Sequence, residues 1–197
     1  ALMRAMDIRQ MVAGHSTRFG LAYRAADAAP ILSSGRKVVF QSIENSYPLG
    51  EDLTLLSTFY RLGVRMVGPV HFTNNQFADS STDPAGKRWN GLSPLGKQLV
   101  AEANRLGMVL DASHASDDVL DQMLDLSKAP VILSHSGLKS IHDHPRNIPD
   151  ALLTKLAAKG GVIGIGYWEG AVCDTDPRAV AKAIGSPPTI TSRGRGS

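Results

Sequence analysis

Met108-Val109-Leu110-Asp111-Ala112-Ser113-His114 and Val131-Ile132-Leu133-Ser134-His135-Ser136 are two apolar runs with the same ending, a Ser-His pair. Each reads as a buried strand, and the interval between them accommodates one helix and a return. In barrels built from strand-helix repeats, the C-terminal strand ends and the loops that follow converge on one face, where active sites lie. Two imidazoles delivered there by consecutive strands point to a metal site.

The same alternation extends on both sides of this pair. Val38–Ile43 reads as a strand, Asp52–Leu62 as a helix stopped by Gly63, and Val64–Val70 as a strand ending at His71. A polar stretch over 72–90 is long enough to predict a functional or lid-like loop rather than a plain connector. Ser93–Leu106 reads as a helix, with Pro94 in its first turn and Gly107 just past its end. Ser116 has N-cap character for a helix over Asp117–Leu126, whose early acidic residues suit the helix dipole. A further helix over Pro149–Lys159 precedes a strand at Val162–Tyr167. The strands are apolar throughout rather than alternating, which predicts an α/β fold with a parallel sheet covered on both faces. The first 34 residues read as helix plus loop, and 185–197 as a disordered tail after a domain spanning 1–184.

The chain has 197 residues, 43% hydrophobic and 20% charged, enough for one substantial core or part of a larger one. Its 21 Lys and Arg face 18 Asp and Glu, with no basic run interleaved with aromatics, which argues against a nucleic-acid partner. A single cysteine, Cys173, excludes an internal disulfide framework and a Cys-rich zinc module, and leaves the compartment open. No apolar run reaches the ~20 residues of a transmembrane segment, and the sequence opens without an initiator Met or a signal-peptide pattern.

Four groups follow strands and carry ligand or acid-base chemistry: Glu44, His71, His114 and His135. Imidazole and carboxylate suit zinc or a similar first-row metal, and a carboxylate such as Glu44 can bridge two ions. Any one of them alone would read as a hydrogen-bonded polar residue at a strand end; four together favour a metal centre. Arg146, in the loop after the His135 strand, reads either as a grip for a substrate carboxylate through paired hydrogen bonds or as a plain surface arginine. His142 and His144 in that loop read as solvated, and His15 receives no role. Asp111 either orients a ligand histidine or caps its strand end.

Several segments resemble the renal (membrane) dipeptidase family of zinc metallopeptidases, peptidase family M19. They are Ile43-Glu44-Asn45, Phe59-Tyr60-Arg61-Leu62-Gly63-Val64-Arg65, His71-Phe72-Thr73-Asn74-Asn75, Gly91–Lys97, Asn104–Met108, Asp111–His114, Ala129–Ser136 and Arg146-Asn147. The resemblance covers about residues 35–168. It implies a (β/α)8 barrel of the TIM-barrel metal-dependent hydrolase type, with two zinc ions and a dipeptide substrate. By motif, Glu44 resembles the carboxylate bridging the metals, and His114 and His135 resemble the ligands of the second metal. His71 is similar to the histidine that contacts substrate and polarises the tetrahedral intermediate. Arg146 is similar to the arginine that holds the substrate's terminal carboxylate.

Two parts of that pattern do not occur in this sequence: the His-x-Asp pair supplying the first metal, and the Gly-Ser-Asp segment bearing the general acid/base. A full barrel takes about 250 residues, so the expectation is an incomplete barrel holding roughly its second to sixth strands. The change of composition near Gly185 reads as truncation or a frame shift, with impaired activity. Open strand edges predict poor solubility or completion by another chain, a homodimer included. The alternatives are another metal-dependent amidohydrolase, of lactonase or phosphotriesterase type, and a non-catalytic remnant.

Overall fold

The structure, a computed structural model, describes residues 1–185. The tail expected over 185–197 therefore lies outside the described residues, except Gly185, which ends the last helix. The elements run α1 (Leu2–Gly14), β1 (Phe19–Leu21), α2 (Ala28–Ser33), β2 (Lys37–Val39), β3 (Gln41–Ile43), α3 (Thr54–Arg61) and β4 (Val64–Val67). They continue with α4 (Pro94–Leu106), β5 (Val109–Asp111), α5 (Asp117–Leu126), β6 (Val131–Leu138), β7 (Asn147–Ile148) and α6 (Asp150–Ala158). The described chain closes with β8 (Val162–Ile165), α7 (Glu169–Val172) and α8 (Pro177–Gly185).

Strands β3, β4, β5, β6 and β8 lie side by side in that order, every pair parallel. The short β7 continues the sheet beside the far end of β6. This is the α/β architecture expected from alternating apolar strands and amphipathic helices. Its strand residues Val64, Val67, Leu110, Val131 and Leu133 are buried against Leu56, Phe59, Leu99, Ala103, Leu120, Met123 and Leu156 of the covering helices. Each such Leu or Phe contributes about 1.5–3 kcal/mol by leaving water.

Helix boundaries follow from local chemistry. The Ser93 hydroxyl accepts the Gly96 N–H at the start of α4, and Gly107 closes that helix in the left-handed conformation with φ 73°. The Ser116 hydroxyl accepts the Val119 N–H at the start of α5, with Asp117 and Asp118 in its first turn.

Two expectations need correction. The stretch 38–43 is not one strand: Phe40 interrupts it, so β2 pairs with β1 in a separate two-stranded sheet while β3 joins the main sheet. The first 34 residues hold not only helix and loop but also β1 and α2, because Gly20 lets Ile31 of α2 pack onto the β1 backbone. None of the described helices is long and apolar enough to cross a membrane.

Candidate metal centre

Glu44 follows β3 directly, and the next residue, Asn45, adopts a left-handed conformation with φ 74°. Asn tolerates this region because its side chain bonds locally. Here the Asn45 Oδ1 accepts the Tyr47 N–H (3.1 Å) and an Asn75 side-chain N–H (2.9 Å), which locks the turn that presents Glu44. The Ser46 hydroxyl donates to the Gly68 carbonyl at 2.9 Å, tying the end of β3 to that of β4.

His71 stands four residues beyond the end of β4, at the start of the long loop. That loop is not a loose lid. Asp79, fully buried, accepts the backbone N–H groups of Arg88, Trp89 and Gly91 at 2.9–3.1 Å. The Trp89 indole donates to the Asn75 carbonyl at 2.8 Å, and the Ser80 hydroxyl to the His71 carbonyl at 2.6 Å.

His114 follows β5 with φ 71°, a strained value for a residue with a side chain. Its carbonyl accepts the Ser81 N–H at 2.9 Å, so the long loop also braces this turn. His135 lies within β6 rather than at its end, where the β6–β8 register shifts between Leu133 and Ser136. Such irregularities re-aim side chains next to functional sites.

These four side chains converge. Glu44 Oε1 lies 3.0 Å from His114 Nε2, 3.2 Å from His135 Nε2 and 3.7 Å from His71 Nε2. His114 Nε2 and His135 Nε2 are themselves 3.0 Å apart. The ligand atoms of Glu44, His71 and His114 all fall within 4.8 Å of one another. Donors sharing one tetrahedral ion, with zinc–nitrogen bonds of about 2.0–2.1 Å, stand roughly 3.3 Å apart. The Glu44, His114 and His135 spacings of 3.0–3.2 Å lie close to that, and the Glu44–His71 spacing of 3.7 Å is somewhat longer.

Burial, then the nearby Arg146 guanidinium and the neighbouring imidazoles, lowers the His114 pKa to about 3. His114 is therefore a neutral imidazole at ordinary pH, the form that ligates metals. Its buried Nδ1 has no hydrogen-bond partner among the described residues. With His114 neutral, its contact with Glu44 is a hydrogen bond rather than an ion pair. The donor set thus fits a divalent first-row metal ion.

Arg146 faces the cluster across a cleft of about 590 Å³. Burial pushes its pKa down, while the Glu44 and Asp111 carboxylates oppose that shift. The guanidinium lies 5.4 Å from the centre of the Trp168 ring and donates at 3.3 Å to the His135 carbonyl. Its Nε is buried without a partner among the described residues. Phe72, Thr82, His144 and Trp168 complete the walls.

All five residues singled out from sequence, Glu44, His71, His114, His135 and Arg146, meet in this one cleft. The solvated reading of His144 needs correction: it lines the cleft, its Nδ1 accepts the Arg146 N–H at 3.1 Å, and burial holds its pKa down. Trp168 escaped the sequence reading, although its place just after β8 is the same strand-end signal that marked the histidines.

A parallel α/β sheet whose strand ends bring three imidazoles and a carboxylate together defines a hydrolase-type barrel wall with a candidate metal centre. The chain belongs to the membrane dipeptidase family, peptidase family M19, which it matches over residues 1–186. It is similar to dipeptidase tcpJ of Claviceps purpurea, with 39% identity over 166 residues, 84% of this chain and 37% of that protein. The crystal structure of the probable dipeptidase PvdM from Pseudomonas aeruginosa superposes with a TM-score of 0.82 and 35% identity, covering 85% of this chain and 43% of that one. A metallo peptidase from Rhodobacter sphaeroides, liganded with a phosphinate mimic of the dipeptide L-Ala-D-Ala, gives a TM-score of 0.85 at 25% identity, covering 93% and 55%. The chain spans less than half the length of tcpJ and of PvdM.

Proposed function

We propose that this chain carries part of a zinc dipeptidase centre, with Glu44, His114 and His135 as metal ligands. The observation that supports this most directly is the convergence of those three donors, 3.0–3.2 Å apart, opposite an arginine with an unengaged Nε. When bound, the metal supplies Lewis-acid polarisation of the substrate carbonyl and of water.

The remaining steps belong to protein side chains. Arg146 holds the terminal carboxylate of the dipeptide by two charge-assisted hydrogen bonds, its plane kept in place by Trp168. Phe72 and Trp168 give the substrate apolar walls. His71, beside the cluster and partly open to the cleft, donates a hydrogen bond to the carbonyl oxygen as negative charge develops there.

The dipeptide substrate of this reading is the class bound, as a mimic, by the Rhodobacter sphaeroides relative. A neutral lactone or phosphotriester would have no use for Arg146, which is why the dipeptidase reading is preferred. The sequence contains neither a His-x-Asp pair nor a Gly-Ser-Asp segment. This chain by itself is therefore expected to take up zinc but hydrolyse dipeptides poorly.

Zinc content and dipeptide turnover of the purified chain test this. Robust zinc-dependent hydrolysis would overturn the expectation of impairment, and failure to bind zinc would overturn the metal centre. Arg146→Ala should weaken dipeptide binding to the zinc-loaded chain by roughly ten- to a hundredfold, the worth of a hydrogen bond to a charged group. It should leave binding of the C-terminal amide almost unchanged.

A further inference from the structure

We propose that Asp111 and Ser134 are positioning residues that set which nitrogen of His135 carries the proton, an inference that rests on the reading of His135 as a metal ligand. Asp111 is buried at the end of β5, between the two Ser-His turns. Its Oδ1 accepts the backbone N–H groups of Ser113 and Ser134, both at 3.0 Å, and the Ser113 hydroxyl at 2.8 Å. Its Oδ2 accepts the Ser134 hydroxyl at 2.5 Å.

Both serine hydroxyls thus donate their protons to Asp111. With its own proton so engaged, the Ser134 oxygen is left as an acceptor, 2.9 Å from His135 Nδ1 and 3.2 Å from the Ser113 hydroxyl, whose proton is drawn to Asp111. A neutral imidazole with its proton on Nδ1 presents a lone pair at Nε2. That Nε2 is the atom aimed at Glu44 Oε1 and His114 Nε2. The carboxylate, one hydroxyl removed from the cleft, thereby holds His135 in its ligating tautomer. The arrangement has the logic of carboxylate–histidine–metal triads, extended by a serine. The Ser113 oxygen also accepts the His135 backbone N–H at 3.1 Å, so the same carboxylate steadies ring and backbone together.

The substitution Asp111→Asn separates this role from simple stapling of β5 to β6. The Asn oxygen is retained at the position that accepts two backbone N–H groups, which places its NH2 against Ser134. The Ser134 hydroxyl proton is released to turn toward His135 Nδ1, and the imidazole proton moves to Nε2.

Nitrogen-15 NMR of the metal-free chain reads this tautomer directly, and chelator competition reads zinc affinity. The expected results are an Nδ1–H His135 in the native chain and in Ser134→Thr, and Nε2–H in Asp111→Asn and Ser134→Ala. Zinc affinity should fall ten- to a hundredfold in the latter two, the usual effect of losing a group that orients a ligand. Ser134→Ala keeps the test alive if Asp111→Asn does not fold. A native Nε2–H form, or variants that lose thermal stability without changing tautomer or affinity, would overturn the proposal. The expected tautomers in a native chain that binds no zinc would uphold the relay and refute the metal centre instead.

Discussion

Glu44 Oε1 and His114 Nε2 stand 3.0 Å apart although their strands, β3 and β5, are not neighbours: β4 runs between them. Two turns with left-handed residues, Asn45 and His114, reach over the end of β4 to make this contact. Because His114 is neutral, the two groups share a hydrogen bond that a metal ion can replace without stranding a buried charge.

Removing a donor from this cluster should abolish tight metal binding while sparing the fold. His135 has a side chain 37% exposed but hydrogen-bonded to Ser134 and His114, so His135→Ala should cost about 1 kcal/mol and leave the fold intact. Zinc affinity, measured by chelator competition, should drop by more than the ten- to hundredfold seen for outer groups. Unchanged affinity would remove His135 from the ligand set.

Acid should destabilise the metal-free protein through His114. Its pKa falls from the ordinary 6.5 to about 3 on folding. Between those values the unfolded chain binds the proton and the folded chain does not, so stability rises with pH and is lost as pH falls through the window. Melting temperatures from pH 3 to 7 should slope less in His114→Gln than in the native chain; equal slopes would contradict this origin.

Gly164 of β8 has no room for a side chain. A Cβ there would lie 2.3 Å from the Ser134 carbonyl oxygen, a backbone atom that cannot swing aside. Gly164→Ala should cost roughly 1–3 kcal/mol in denaturant unfolding, and weaken zinc binding by displacing Ser134 and His135. Gly14→Ala, at the end of α1 with nothing within 4 Å, is the control and should be neutral or stabilising.

Asp79, itself buried, holds the long loop by accepting three backbone N–H groups, the one from Gly91 buried and those from Arg88 and Trp89 partly buried. Orphaning the buried one costs about 1–3 kcal/mol, and the partly buried ones less because water reaches them, so Asp79→Ala should lose roughly 2–3 kcal/mol. Limited proteolysis should then cut within 82–90, where the native chain resists; equal resistance would show that the loop stands without this carboxylate.

The outer edges of β3 and β8 have no strand partner among the described residues, and Val162 of β8 is 63% exposed. Edges of this kind pair readily. Light scattering should show concentration-dependent association, and a monomer at every concentration would refute it.

Much of this architecture is local and was legible in the sequence. Helix α5 occupies the residues expected because the Ser116 cap, the acidic first turn and the apolar spacing of Val119, Leu120 and Met123 all agree. The apolar runs around Leu110 and Ile132 identified buried parallel strands, and strand-end logic identified Glu44, His71, His114 and His135, while Arg146 stood out by its chemistry in the loop after the His135 strand. Short-range signals failed where a long-range contact decides the outcome. Nothing near β1 announces a strand, since it exists through its pairing with β2, and Phe40 separates β2 from β3 only because two different sheets claim the flanking residues.

The role of Asp111 shows the same division. Sequence placed it three residues before His114 and left open whether it orients a histidine or caps a strand. Its four hydrogen bonds reach both Ser-His turns, and the one through Ser134 runs to His135 rather than to the histidine beside it in sequence. Sequence by itself determined the kinds of groups present and the strand ends that carry them, because hydrophobic period and capping are local. Which nitrogen meets which oxygen was decided by tertiary structure, because sheet order and register bring together residues that no local signal links.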